Sequence, residues 1–216
     1  MILRSDMMLL FAVSFLIFFL GSFVLYKDHR NAVNRSFALL AFSVLGWVIS
    51  AYFEDEQISE LLRYLFLKLD FSFGIFFAYS LLLFCLSVAR IEIVKKTLIR
   101  AFIIFVPTLF SYVVLFTPFI VDSYRIDAAG IITPSYGPLG PVYDLLLLLA
   151  PIVGVGVLIW RYRMMGAREK TQYVYLLIGI FLTSFFTLLT NVILLEFIEH
   201  SPQYGIYYRL GIFSSI

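Results

Sequence analysis

Asp144 lies inside an apolar stretch, and across 142–160 no other side chain is charged. A carboxylate at membrane depth ordinarily binds a cation, relays a proton or meets a ligand. It sits only three residues inside the start of that stretch, so an interfacial carboxylate bathed in water is the competing reading. Asp70 heads another apolar stretch, and Asp122, Asp127, Glu196 and Glu199 flank the ends of others. Grouped around one mouth, these carboxylates would share a negative potential. Such a potential favours a cationic or polycationic ligand through long-range attraction that salt screens. Otherwise they are the counterpart of a basic opposite face. Asp144 is the foremost ligand-binding candidate, followed by Asn191 and Asp70.

Asn191 belongs to a second pattern, in which Gly179, Thr183, Thr187 and Asn191 recur every four residues. On a helix they form one slowly rotating stripe of small and polar groups. A lipid-facing surface has no use for such a stripe, whereas close helix packing and interhelical hydrogen bonds do. Gly179, Thr183 and Thr187 are therefore expected to be packing residues, with Asn191 either part of the same seam or lining a polar cavity. Gly46/Ser50, Gly74/Ala78 and Ala150/Gly154 repeat the small-xxx-small spacing and mark the faces of their helices that should be buried.

Other chemistries lack their residues. There is no Gly-rich phosphate loop, nucleophile–base pair or metal-ligand spacing, so no catalytic residue, metal or cofactor is expected. The single cysteine, Cys85, excludes an internal disulfide framework and reads as a small packing residue. His29 and His200 fall in loops, where solvated histidines are commoner than pH sensors. The basic segments are short and dispersed, which suits topology and lipid contact and argues against nucleic acid.

The elements that must position these residues are apolar. Of 216 residues 62% are hydrophobic and 14% charged, and the mean hydropathy is +0.98; soluble domains carry roughly 25% charged residues. A hydrocarbon core about 30 Å thick needs about 20 apolar residues. Six stretches qualify: 7–26, 36–53, 71–89, 101–121, 142–160 and 173–195. The first lacks a cleavage site and has bases on its far side, so it reads as a retained helix and not a signal peptide. Eleven of the sixteen Lys and Arg fall in "KDHRNAVNR", "RIEIVKKTLIR" and "RYRMMGAREKTQ", after the first, third and fifth stretches. By the positive-inside rule these loops are cytoplasmic and the N-terminus is outside. The closing "LGIFSSI" then begins a seventh span.

The expected fold class is therefore all-α, a polytopic transmembrane bundle of six complete spans plus the start of a seventh. Between the fourth and fifth stretches, "DAAG" and "SYGPLGP" supply turn residues around "IIT" and predict a small hairpin. The amphipathic "SELLRYLFLKLD" is expected either to extend the third helix outward from an N-cap at Ser59 or to lie on the interface. Pro107 and Pro151 should kink the fourth and fifth helices. Trp160, Tyr173, Tyr175, Tyr207 and Tyr208 near the span ends fit an aromatic belt.

"NRSFALLAFSVLGW", with Trp47 in the second span, resembles the N-terminal seven-helix sensor region of bacterial and archaeal histidine kinases. So does "REKTQYVYLLIGIF" followed by "TN", with Gln172, Gly179 and Asn191 in register, and so does the closing "RLGIFSSI". The resemblance implies a multi-pass sensor in the cell membrane that relays an unidentified stimulus ligand to a cytoplasmic output domain and dimerises through that domain. In the family that output is usually a phospho-acceptor helix pair with an ATP-binding domain, sometimes with a PAS module, and in some relatives a diguanylate cyclase. A small transporter or channel subunit is the rival class, but it calls for paired broken helices and several mid-membrane ionisable residues, and the sequence has neither. A retinal-type photoreceptor would need carboxylates deep in the third span, and none occurs between Asp70 and Glu92.

Overall fold

The computed structural model describes residues 5–54, 56, 58–91, 97–126, 132–164, 166, 170, 171, 173–175 and 177–180. Five helices and a two-stranded hairpin follow one another as α1 (Ser5–Lys27), α2 (Ala32–Glu54), α3 (Glu60–Val88), α4 (Thr97–Phe116), β1 (Val121–Ile126), β2 (Ile132–Tyr136) and α5 (Gly140–Arg163). Among the described residues all five helices are long and apolar enough to cross a membrane. The expected sixth span begins in helical residues up to 180, and the remainder of it, like the seventh, lies outside the described residues.

Helix ends follow local chemistry. Between α1 and α2 the Asp28 carboxylate accepts from the Arg30 and Asn31 amides at 3.0 and 3.2 Å. The Asn31 side chain accepts from the Val33 amide at 2.9 Å, an N-cap that starts α2 a turn before the apolar stretch. The amphipathic segment does extend α3 outward. Ser59 occupies the N-cap position with extended backbone, but its side chain makes no capping bond. The other end of α3 closes with Arg90 at φ 52°, while the Ile91 amide donates to Leu86 O and the Arg90 amide to Ser87 O. That is a Schellman closure with arginine where glycine is usual, and for this reason no glycine announced it.

α3 is the central helix. Its 29 residues span roughly 43 Å at 1.5 Å each, well beyond the hydrocarbon core. It packs against α2, α4 and α5, whereas α1 packs on α2. Gly46 of α2 lies under the Phe73 ring of α3, and Trp47 stacks on Phe77 at 5.6 Å. A Cβ on Gly74 would meet the Tyr143 hydroxyl at 3.2 Å, and one on Gly154 would meet the Leu82 Cα at 3.2 Å. Three of the small residues marked in the sequence thus let α3 approach its neighbours, as small residues do between membrane helices.

α4 corrects one expectation. It ends at Phe116, not Val121. The Thr117 hydroxyl takes the Val113 carbonyl at 2.6 Å, and Pro118 has no amide to continue the ladder. The apolar residues beyond it serve the hairpin: Ile120 and Val121 are fully buried against Leu67, Phe71 and Tyr143. The strands pair antiparallel from Val121↔Tyr136 to Ile126↔Ile132, with an irregularity between Val121 and Ser123. Ser135 and Tyr136, expected in a turn, belong to β2.

Candidate functional site

At the hairpin end the first turns of α3, the end of α4, the base of the hairpin and the start of α5 converge. The Tyr143 hydroxyl donates to the Phe71 carbonyl at 2.6 Å, a buried bond linking α5 to α3. The rings of Tyr136 and Tyr143 lie 5.9 and 5.4 Å from that of Phe71. On the flank towards α4, Lys68 donates to the Leu115 carbonyl at 3.3 Å and sits 4.8 Å above the Tyr64 ring. Tyr64 in turn packs on Tyr124 of β1 at 5.3 Å and donates to the Asp122 carbonyl at 3.4 Å. Lys68 thereby satisfies a carbonyl in the open last turn of α4. Further out, the buried Arg63 does the same for α2, donating from Nε to the Glu54 carbonyl at 2.8 Å.

The Asp144 and Asp70 carboxylates both act electrostatically on this aromatic cluster. Burial pushes the Tyr136 phenol above its ordinary range, and the Asp144 and then the Asp70 carboxylate push it further. Both carboxylates therefore act on one hydroxyl. Asp144 lies on the exposed side of α5 next to the buried Tyr143, and Asp70 is half-buried on α3. Two carboxylates acting on a cluster of edge-on and tilted aromatic rings offer Coulomb attraction and cation–π contact to a cationic group. Asp122 is exposed on β1, and Asp127, Glu196 and Glu199 lie outside the described residues. Among those described, no three His, Cys, Asp or Glu side chains group as a metal site.

A raised phenol pKa has a definite sign in stability. The Tyr136 contribution is complete below the ordinary phenol value of about 10 and is lost as pH rises through the raised value. Tyr136→Phe is expected to remove that part of the alkaline unfolding limb. Asp144→Asn should shift the Tyr136 ionisation downward but not to the ordinary value, because burial is the larger cause. Ultraviolet absorbance titration against the Tyr136→Phe spectrum checks both; an unmoved ionisation in Asp144→Asn would separate the two groups.

The packing stripe is described only at Gly179, which is exposed and where a Cβ would meet nothing within 4 Å among the described residues. Thr183, Thr187 and Asn191 lie outside them. Tyr173, assigned to an aromatic belt in the sequence, is instead buried, and its hydroxyl donates to the Val88 carbonyl at 2.6 Å, tying the sixth helix to the end of α3. Tyr136, Tyr143, Tyr64 and Lys68 were not singled out as site residues. The Tyr64/Lys68 spacing of four on an amphipathic turn was the one available signal.

The outer surface settles the class. α1 turns Phe11, Phe15, Phe19 and Phe23 outward, and Phe15 is 66% exposed. An apolar surface of that extent has lipid, and not water, as its solvent; the chain is a polytopic helical membrane protein. A family model described as the N-terminal 7TM region of histidine kinase matches residues 9–206. The chain belongs to that family. No curated protein and no solved structure matches it.

Proposed function

We propose that the chain is the sensory region of a two-component histidine kinase in the cell membrane, with its N-terminus outside and six spans followed by a seventh. That last helix carries the signal to a cytoplasmic, dimeric output domain. The observation that carries this reading is the family match over residues 9–206. The stimulus is a cationic ligand that enters at the hairpin end, between Asp70, Asp144 and the Phe71–Tyr136–Tyr143 rings. Binding there favours one of two arrangements of α5 against α3, and a ligand biases such an equilibrium only by its difference in affinity for the two. The Tyr143–Phe71 hydrogen bond is the contact a shift would break or remake.

The route from outside requires the hairpin end to face outward, which the base distribution supports. Reporter fusions test it. A cytoplasmic reporter is expected to be active at Lys95 and silent at Ser135, and a periplasmic-type reporter the reverse. Periplasmic-type activity at Lys95 would invert the bundle and remove the outside entry of the stimulus.

A further inference from the structure

At the opposite, basic end α2, α3 and α4 enclose a groove of about 320 Å³. Each helix contributes a polar residue and, four positions deeper, an apolar one: Arg35 then Leu39 on α2, Ser87 then Leu83 on α3, Arg100 then Ile104 on α4. Four residues of helix advance about 6 Å, so all three walls change from polar to apolar at a similar depth. Both arginines belong to the first two turns of helices that start at this end. The amide dipoles of α2 and α4 therefore add positive potential to the two guanidinium groups. Among the described residues no acidic side chain lines the groove. α2 and α4 each pack on α3, which leaves the groove bounded by them on either side, and Ile104 at its wall is 47% exposed.

We infer that this groove binds one anionic phospholipid, with its phosphate between Arg35 and Arg100 and the upper part of an acyl chain along Leu39, Leu83 and Ile104. A free anion would use the arginines but not the apolar wall, and a neutral lipid the wall but not the paired charge. The groove lies at the lower end of small-ligand pocket volumes, so it takes a headgroup and the first methylenes of one chain while the rest stays in the bilayer. This site is separate from the sensing end and stands whatever the stimulus is. It gives two of the basic-end arginines a shared ligand beyond their part in orientation.

The test uses the purified chain in neutral detergent, titrated with dioleoylphosphatidylglycerol, with phosphatidylcholine of the same chains and with inorganic phosphate. Bound lipid is read by native mass spectrometry. One phosphatidylglycerol per chain is expected to be retained. A base near an anionic headgroup contributes enough for about a fivefold effect. Arg35→Gln with Arg100→Gln should therefore weaken phosphatidylglycerol about 25-fold, towards the level of phosphatidylcholine. Arg30→Gln with Arg163→Gln, which removes two exposed bases outside the groove, should leave it unchanged. If the first pair does not fold, Arg35→Gln alone, at an exposed position, should cost about fivefold. Equal retention of the two lipids would overturn the proposal, as would an equal loss in the control pair. Inorganic phosphate binding as tightly as phosphatidylglycerol would replace the lipid site by a free-anion site.

Discussion

Gly137→Val is expected to destabilise the chain by about 2–3 kcal/mol, the upper range for forced overpacking, and to displace the hairpin from the bundle. Gly137 follows β2 where the chain turns back over the end of α4. A Cβ there would run into the Pro118 carbonyl oxygen and lie 2.6 Å from that of Phe119. These are backbone atoms and cannot swing aside. The close approach is held by the Gly137 amide on Ile120 O at 2.9 Å and the Leu139 amide on Phe119 O at 2.8 Å. A valine separates the segments and breaks both bonds, and Tyr136 leaves the Phe71 ring. Thermal unfolding in detergent checks the stability, and the Tyr136 ionisation should return to the ordinary phenol range. An unchanged midpoint would mean that the hairpin is not fastened there.

Gly154 and Gly156 make a matched pair on α5. A Cβ on Gly154 lies 3.2 Å from the Leu82 Cα and 3.3 Å from the Cys85 Cβ, whereas one on Gly156 meets nothing within 4 Å. Gly154→Leu is expected to push α5 off α3, at about 2–3 kcal/mol. Gly156→Leu is expected to be neutral or to gain up to about 1 kcal/mol, since glycine is a poor helix former. Equal midpoints for the two variants would show that the α3–α5 contact is not close-packed at this level.

Length and all-round apolarity made the helices legible, because crossing hydrocarbon requires both. They did not separate the last residues of α4 from the strand beyond. "FIV" is apolar because Ile120 and Val121 are buried under the hairpin, and short buried strands cannot be told from helix by composition. The hairpin itself was legible from its turn residues, and the outward extension of α3 from its amphipathic pattern. Asp70 and Asp144 could be named as carboxylates at apolar boundaries. Their joint electrostatic action on Tyr136 depends on how α3 and α5 are rotated against each other, which spacing along one helix does not encode. Tyr173 looked like a belt residue because its bond to Val88 links positions 85 residues apart. Arg35 and Arg100 lie in basic segments that the sequence marks for topology and general lipid contact, not as a pair. Their convergence follows from α2 and α4 flanking α3, and hydropathy carries no order of helices.

The central claim is that a cation at the hairpin end alters the output of a histidine kinase. It is tested most directly in a kinase that carries this sensory region together with an output domain, reconstituted in vesicles and supplied with radiolabelled ATP on the output side, with spermidine added on the hairpin side. Acid-labile histidine phosphate is expected, with an initial rate that changes about fivefold or more with spermidine, the scale of an ordinary coupling between sites. That response should disappear in Asp70→Asn with Asp144→Asn and persist in Asp122→Asn. Absence of acid-labile label, or a spermidine response identical in the two variants, would contradict it.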